Sequence, residues 1–431
     1  MQVIQWIVNL GASVFLPILL FIFGLILGIR PGKAFKAGLT VGIGFIGLNL
    51  VITLLTTSLG PATKLMIKNY GLHLASIDIG WPAASAIAYG TTLGAMAIPI
   101  GVIVNVVLLL LGLTKTLDVD IWNYWHVAFA GSVLYMLTGN MWLGAALMIV
   151  VTMFNYFLAD LSAPTVEKYY GLEGISFPHG LSAPGYIFAL PFNWLFDRIP
   201  GLNKVHLDAE TIQKKLGVFG DTTVIGAIIG LVIGLLAKLD VAKTLNLAVS
   251  MGAVMMLMPR MVSLLMEGLT PISEGANAMI KKRFPGKKLY IGMDSALAIG
   301  QESVLSSALL LVPITLLLAV ILPGNKVLPF GDLATIPYFI ALFAAVFKGD
   351  ILRTVIAGEV DISISLYAAT WLAPVITKLA KAASFNMGNN SSISALSDGG
   401  LWTNWVYLMM GEKFQWVGVV ILFVIALGLL I

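Results

Sequence analysis

The chain has 431 residues, of which 59% are hydrophobic and only 11% are charged, whereas soluble domains carry about 25% charged residues. So little polar surface excludes a soluble globular protein and predicts an integral membrane protein. Because hydrocarbon offers no water to peptide groups, the apolar segments are expected to be helical, and at about 20 residues per span the chain has room for roughly ten spans.

The charge distribution and the absence of cysteine exclude further classes. The formal net charge is +4, and basic residues gather in short connections such as 281–283 (Lys281, Lys282 and Arg283) and 287–288 (Lys287 and Lys288). This is typical of loops facing the cytosol or lipid headgroups rather than of a nucleic-acid-binding face. Without cysteine, thiolate metal sites and phosphocysteine must belong to another protein. Neither a GxxxxGK[ST] loop nor an HExxH motif occurs, so no cofactor and no metal are predicted.

Apolar segments recur along the whole chain. The first, 3–29, is followed rather than preceded by basic residues, which predicts a retained span instead of a signal peptide. The segment 82–113 is interrupted by Pro82, Gly90, Gly94, Pro99 and Gly101 and is expected to be a broken helix of the kind that forms transport sites. The other apolar segments are 39–59, 125–158, 180–197, 222–237, 245–266, 291–322, 335–347, 362–380 and 415–431.

The polar stretch 197–221 divides the chain near its middle. We interpret it as a linker between a first membrane repeat, 1–196, and a second, 222–414, followed by an unpaired C-terminal span, 415–431. If each half holds an odd number of spans, the two copies are inverted and the transport site forms where they meet.

Weak similarity between the halves supports a duplication. Chance similarity between two Leu- and Gly-rich segments is the alternative. The matches at an offset of 210 residues include Gly42 with Gly252 and Pro61 with Pro271, and those at 214 include Pro99 with Pro313, Asp118 with Asp332, Tyr124 with Tyr338 and Gly144 with Gly358.

Two polar breaks in apolar segments supply candidate solute ligands. Asp294, Gln301 and Glu302 lie in the run 291–312, where a buried carboxylate costs about 2.5 to 3.5 kcal/mol and is expected to face a cavity or a partner. The first half offers Tyr89 and Thr91. Hydroxyl groups of a solute could bond to all of these groups. The alternatives are an interfacial Asp294, a Glu302 paired to lysine and a Tyr89 that is only packed.

Two of the four histidines lie in membrane-like contexts. His179, in FPHGLSAPG, is flanked by prolines and glycines that prevent a plain helix, so a re-entrant break that lines a cavity is expected. There His179 could bind hydroxyl groups or act as a base. His126 lies among tryptophans, and interfacial positions are the alternative for both histidines.

Acidic residues recur near residue 350. Asp350 and Arg353 have helical spacing and are expected to pair. Asp361 is a further candidate site residue and Glu359 a weaker one, with exposed loop charges as the alternative. The stretch 386–400 is polar and turn-rich, and no chemistry is assigned to it.

The chain resembles the galactitol-type IIC permease components of the bacterial phosphotransferase system, which are related to the ascorbate-type permeases. The residues that carry the resemblance are 77–105, FPHGLSAPG, DSALAIGQES at 294–303 and KGDILRTVIAGEVDISISLYAATWLAP at 348–374. It implies an all-α, multi-pass protein of the bacterial inner membrane with about 11 transmembrane helices: two inverted five-helix repeats and a final helix, arranged as a scaffold and a mobile core with re-entrant hairpins.

The resemblance also implies a function. A homodimer in membrane lipid would carry galactitol or a similar polyol by an elevator-type movement, and a cytoplasmic IIB partner, itself served by IIA, would transfer a phosphoryl group from its phosphocysteine. Whether such a permease subunit counts as an enzyme is left open. By similarity, Tyr89, His126, His179 and Asp294 are solute contacts, and His179 or Glu302 is the candidate base.

Three other classes remain open from the residues alone. An ion-coupled secondary transporter would accumulate unmodified solute. A membrane-bound lipid enzyme using His179 and Asp294 would turn over without a phosphoryl donor, and a receptor or scaffold would show neither activity.

Overall fold

A computed structural model describes residues 12–69, 74–202, 206–208, 221–283, 289–329, 331–383, 385, 387 and 391–431. Most of these residues are helical. The elements of the first half are α1 Ala12–Ile26, α2 Pro31–Asn69, β1 Ser76–Asp78, α3 Trp81–Tyr89, α4 Ala97–Leu111, β2 Thr116–Asp118, α5 Trp125–Thr138, α6 Met141–Tyr170, β3 Ile175–Ser176 and α7 Ala183–Phe196.

The second half repeats this order from its first helix onwards, but its last strand is followed by an additional short helix, and its final helix is longer. Its elements are α8 Thr222–Leu236, α9 Val241–Arg283, β4 Tyr290–Gly292, α10 Ala296–Ile299, α11 Glu302–Ile321, β5 Val327–Leu328, α12 Ile336–Val346, α13 Ile351–Ala382, β6 Ile393–Ser394, α14 Leu396–Gly399 and α15 Trp402–Leu430.

Five segments of the described chain are long and apolar enough to cross a membrane. They include α6, α11, α13 and α15, together with Gly94–Leu111. Membrane insertion is therefore supported, whereas the expected number of about 11 spans stays a prediction. In α15 the helical backbone is interrupted at Gln415, with φ 51° and ψ −130°, the position at which the sequence placed the start of the last span.

Helix boundaries sharpen the comparison of the halves. The pairs α2 and α9, and α6 and α13, begin at positions 210 residues apart, as Pro31 and Val241 illustrate. The sequence match of Gly144 with Gly358 at an offset of 214 is therefore wrong in register. Tyr124 and Tyr338 are also not equivalent, because Tyr124 precedes α5 whereas Tyr338 lies inside α12.

One apolar segment divides into two helices, and one expectation about the basic residues needs correction. The segment 125–158 holds two helices, because Gly139 takes a left-handed conformation that ends α5 and the Asn140 side chain caps α6. Lys281, Lys282 and Arg283 lie in helix α9 instead of in a connection. Lys287 and Lys288 lie outside the described residues.

Two small parallel sheets join the halves and were not predicted from the sequence. In one, β1 lies between β5 and β6, and in the other, β4 lies between β2 and β3. Each central strand therefore comes from one half and both of its neighbours from the other. These pairings satisfy backbone groups of buried, non-helical segments, which a membrane protein cannot leave to water.

The helices that follow the sheets form the core. Every residue of α5 from Trp125 to Leu134 is buried, and α12 is buried along nearly all its length, as expected of helices that are apolar on every face. The long helices α2 and α9 pack against each other. There Gly268 leaves no room for a side chain, because a Cβ would lie 2.7 Å from Val41 Cγ2.

Candidate functional site

The parallel sheet β2-β4-β3 brings three sequence-distant segments to one edge. Because its strands run in the same direction, the residues that follow their carboxyl ends converge. Those residues include Asp120 after β2, His179 after β3 and Asp294 after β4. Gly292 in the central strand allows this close approach, since a Cβ there would lie 2.9 Å from Pro178 and from the Asp118 backbone.

Asn123 joins the two carboxylates at this edge. Its side-chain nitrogen donates to Asp120 Oδ2 over 2.7 Å and to Asp294 Oδ2 over 3.0 Å. The other oxygen of Asp294 accepts from the backbone N–H of Ala296, at 2.8 Å. Asp294 thus spans the start of α10 and the turn before α5, which belong to different halves.

His179 lies against Asp294 without a short hydrogen bond. Its Nε2 is 3.6 Å from Asp294 Oδ1, and its ring stacks on Tyr338 with centroids 5.6 Å apart. His179 and Asp294 lie in connections and Tyr338 lies in α12, so none of them belongs to the five segments that are long enough to cross a membrane. Burial lowers the pKa of His179 well below its usual value, and the charge of His126 lowers it further. Burial also raises the pKa of Asp294, although the hydrogen bonds from Ala296 and Asn123 act in the opposite direction.

His126, the second residue of α5, lies between the two sheets. Its Nδ1 is 2.8 Å from Asp398 Oδ2, and Asp398 is in α14, directly after strand β6 of the other sheet. On its other side the His126 ring meets the His179 ring, with centroids 4.8 Å apart and planes at 71°. Both members of the His126 and Asp398 pair are almost completely buried.

Three polar atoms of this cluster have no hydrogen-bond partner in the described chain. They are His126 Nε2, His179 Nδ1 and Asp120 Oδ1, and all three are buried. An unpaired buried polar atom costs about 1 to 3 kcal/mol, so a ligand that bonds to these atoms would gain from their pairing. The arrangement suits a small solute with several hydroxyl groups, which can both donate and accept.

The acidic groups at the other sheet have a structural role. Asp332 Oδ1 accepts from the Trp81 backbone N–H at 2.8 Å, and its Oδ2 accepts from the Ser397 backbone N–H at 2.7 Å. Asp78 accepts from the backbone N–H groups of Asp332 and Leu396. These bonds hold the ends of strands β1, β5 and β6 together.

The two predicted ligands of the first half use their hydroxyl groups within the protein. Tyr89 is buried and donates to the Trp122 carbonyl oxygen at 2.8 Å. The Thr91 hydroxyl bonds to the Ala88 carbonyl and to Ser132, and accepts from the Gly94 backbone N–H. The break that the sequence predicted after Tyr89 is present, but these residues stabilise it, and their contact with solute stays a prediction.

Gln301 and Glu302 lie at the start of α11. The Gln301 side-chain oxygen accepts from the backbone N–H groups of Ser303 and Val304, so it caps the helix. Glu302 is exposed. The expectation of a buried Glu302 is therefore wrong, because the helix begins at this residue instead of enclosing it, and its role as a solute ligand stays untested.

The acidic residues of the later segment lie in one long helix, α13. Asp361 is buried and its Oδ1 has no partner among the described residues, and Glu359, which is half-buried, has two unpaired oxygens. Exposed loop positions for both are thus excluded. Arg353 Nε is 3.6 Å from Asp350 Oδ2, which confirms the expected pair, and the Asp350 side chain caps α13.

Three residues of the cluster were missed from the sequence. Asp398 belongs to the stretch to which no chemistry was assigned, and Asp120 and Asn123 were not singled out. One signal in the sequence could have indicated Asp398: in the run SDGG it is an acidic residue among small residues, without a basic neighbour. No group of three or more His, Asp or Glu side chains within the described ranges is arranged to bind a metal ion.

The apolar helices and the buried polar site together indicate the class of protein. Apolar helices of membrane-spanning length surround a buried polar site that both halves of the chain build, and this is the organisation of a membrane permease for a small polar solute.

Comparison with known proteins then gives the family. Residues 6–390 match the family EIIC-GAT, the sugar-specific permease component of the phosphotransferase system (PTS). The chain is 42% identical over 410 residues to the PTS system galactitol-specific EIIC component of Escherichia coli K12, covering 95% of this chain and 90% of the relative, and the figures for the component of E. coli O157:H7 are the same. The chain belongs to this family of galactitol-type IIC permeases, as the resemblance predicted.

Proposed function

We propose that this permease carries galactitol or a closely similar polyol across the bacterial inner membrane and presents it for phosphorylation. The observation that carries the proposal is the pair of buried imidazoles, His126 and His179: one nitrogen of each faces a carboxylate of the second half, and the other nitrogen has no partner among the described residues. The E. coli relatives are galactitol-specific by name, which supports the same substrate here.

The charges of the site favour a neutral solute. The described contacts of the two imidazoles come from Asp294, Asp398 and aromatic rings, and none comes from lysine or arginine. An anionic sugar acid would meet carboxylates without a cation to balance its charge, which disfavours its entry. A polyol has no charge and offers only hydroxyl groups.

Transport requires that the site open alternately to the two sides. His126 and His179 are almost completely enclosed, so a solute reaches them only when surrounding elements separate. The repeated order of elements, and the exchange of central strands between halves, support two inverted five-helix repeats, 1–196 and 222–414, joined by the linker 197–221 and followed by 415–431. In the proposed cycle a mobile core moves against a scaffold in a homodimer, and a phosphocysteine IIB partner supplied by IIA transfers the phosphoryl group inside.

The deciding experiment measures the chemical form of the transported polyol. Vesicles that contain the permease, loaded with the phosphorylated IIB partner, should accumulate galactitol phosphate from external labelled galactitol. The control replaces the partner with a form whose phosphorylated cysteine is changed to serine. Accumulation of unmodified galactitol, or no uptake of any hexitol, would refute coupled transport.

One feature favours a second candidate, an ion-coupled transporter. Asp361, with an unpaired oxygen, and the half-buried Glu359 lie within the apolar helix α13, and such carboxylates mark proton paths in other transporters. This function predicts accumulation of unmodified solute that collapses when a proton gradient is removed. The same vesicle assay therefore distinguishes the two.

A further inference from the structure

The two imidazoles of the site are held in different ways. His126 Nδ1 is 2.8 Å from Asp398 Oδ2, within hydrogen-bond distance, whereas His179 Nε2 is 3.6 Å from its nearest carboxylate oxygen, beyond it. Asp398 is itself fixed, since Asn404 Nδ2 donates to its Oδ1 at 3.3 Å and to its carbonyl oxygen at 3.0 Å. Only His126 therefore has a carboxylate that fixes its orientation.

This contact determines which nitrogen of His126 carries the proton. An ionised carboxylate only accepts hydrogen bonds, so Nδ1 must be the donor, and in a neutral imidazole Nε2 then holds a free lone pair. His126 Nε2 is buried and has no partner in the described chain. A solute hydroxyl that enters the site would donate its proton to this atom.

We propose that His126, oriented by Asp398, takes the proton of the polyol hydroxyl as that hydroxyl is phosphorylated, with Asp398 as a positioning residue. This inference rests on the proposed function. It differs from the sequence-based hypothesis, which made His179 or Glu302 the base. The combination of a hydroxyl, an imidazole and a buried carboxylate is the one that activates hydroxyl nucleophiles in hydrolases.

The step is balanced without a further reactant. The polyol oxygen forms a bond to the phosphorus of the partner's phosphocysteine, and the sulfur–phosphorus bond breaks, so the sulfur leaves as a thiolate. The hydroxyl proton moves to His126 Nε2, and the imidazolium is stabilised by the Asp398 carboxylate. After release of the phosphorylated polyol, the proton returns to water.

His179 has a complementary role in this arrangement. Its ring is 4.8 Å from that of His126, so a second positive charge there would oppose protonation of His126. Burial lowers the pKa of His179, and the charge that His126 gains when it takes the proton lowers this pKa further, which keeps the His179 ring neutral. As a neutral ring it bonds a second hydroxyl and fixes the polyol without taking its proton.

Asp398→Asn provides the central test. Asn404 donates to the Oδ1 position, so the amide oxygen of the new side chain should occupy that place and turn its NH2 group toward His126 Nδ1. The His126 proton would then move to Nε2, which could no longer accept a proton. The matched control is Asp332→Asn, because Asp332 is equally buried but bonds to Thr335 and to the backbone of Trp81 and Ser397.

The first readout needs neither solute nor partner. The chain has four histidines, so ¹⁵N spectra of histidine-labelled protein, assigned with His126→Gln, report the protonated nitrogen directly. We expect the proton of His126 on Nδ1 in the wild type and in Asp332→Asn, and on Nε2 in Asp398→Asn. A wild-type proton on Nε2 would overturn the inference.

The second readout separates chemistry from binding. In single-turnover transfer from the phosphorylated IIB partner at saturating galactitol, Asp398→Asn should lower the rate by about 100-fold or more, as loss of a general base does, with a change of less than about fivefold in the dissociation constant of galactitol. The folded fraction of Asp332→Asn should transfer the phosphoryl group at the wild-type rate. His179→Gln should weaken galactitol binding more than it slows transfer.

Failure of the inference and of the proposed function give different results. The role of His126 would be overturned if the transfer rate of Asp398→Asn were within threefold of the wild-type rate. It would also be overturned if, at saturating galactitol, only His179→Gln lost transfer. In both cases polyol phosphorylation itself would stand. Absence of phosphorylated product with the wild-type protein would refute the proposed function itself, and the inference with it.

Discussion

At the scale of single residues, Asp294 and Glu302 show why acids in one apolar run have different environments. Asp294 follows strand β4 and is buried against Asn123 and His179. Glu302, eight positions later, begins α11 and is exposed, where an acidic group is favoured by the positive end of the helix dipole by about 0.3 to 1 kcal/mol. From the sequence, both residues were expected to be costly buried charges, because the sequence does not reveal that α11 begins at Glu302.

This difference predicts unequal effects of two conservative changes. Asp294→Asn removes the charge beside His179 and weakens a buried charged hydrogen bond, which contributes about 1.5 to 3 kcal/mol, so galactitol uptake should fall by about 10-fold or more. Glu302→Gln should change uptake less than about twofold. Initial uptake rates, normalised to the amount of each protein in the membrane, check both, and a larger loss for Glu302→Gln would restore Glu302 to the site.

At the scale of elements, the turn after β3 depends on a glycine. A Cβ on Gly180 would lie 2.7 Å from His126 Cβ and 2.8 Å from its Cγ. His126 cannot move aside without losing its bond to Asp398. The absence of a side chain at Gly180 is therefore what allows the turn that carries His179 to approach the start of α5.

Gly180→Ala should separate the two imidazoles. Overpacking of a tight contact costs about 1 to 3 kcal/mol, so we expect a lower unfolding temperature in detergent and galactitol binding weakened by about 10-fold or more. Gly32→Ala is the control, because a Cβ there meets nothing within 4 Å. Binding by Gly180→Ala equal to that of the control would show that the closeness of the imidazoles is not required.

The same elements show how much of the site could be predicted from the sequence. Prolines and glycines around His179 and Tyr89 indicated breaks, and both are present, because those residues restrict the backbone locally. The partners of the histidines could not be predicted. Asp398 and Asp294 reach them only through parallel strands of two or three residues, which are too short to show a periodic pattern and pair with segments of the other half.

At the scale of the whole molecule, Arg353 connects the two halves where the first one ends. Its Nη1 donates to Asn193 Oδ1 at 3.3 Å, in the last helix of the first half, and to Asp197 Oδ1 at 2.7 Å, at the first residue of the linker. Within its own half it lies beside Asp350, which is almost fully buried and also contacts His206 of the linker. Apolar packing between helices surrounded by lipid lacks the driving force that it has in water, so polar contacts of this kind help to fix how the halves meet.

The burial of these groups predicts which change disrupts that junction. Arg353→Met leaves Asp350 as a buried carboxylate without its cation, a loss that costs about 3 to 5 kcal/mol in other proteins, so the unfolding temperature should drop clearly. Asp197→Asn removes a partner whose side chain is 54% exposed, and such surface pairs contribute about 0 to 1 kcal/mol. Thermal unfolding of both variants in the same detergent measures the difference. Equal shifts would mean that Arg353 acts mainly through Asp197, and that the junction is held at the surface of the molecule instead of at the buried start of α13.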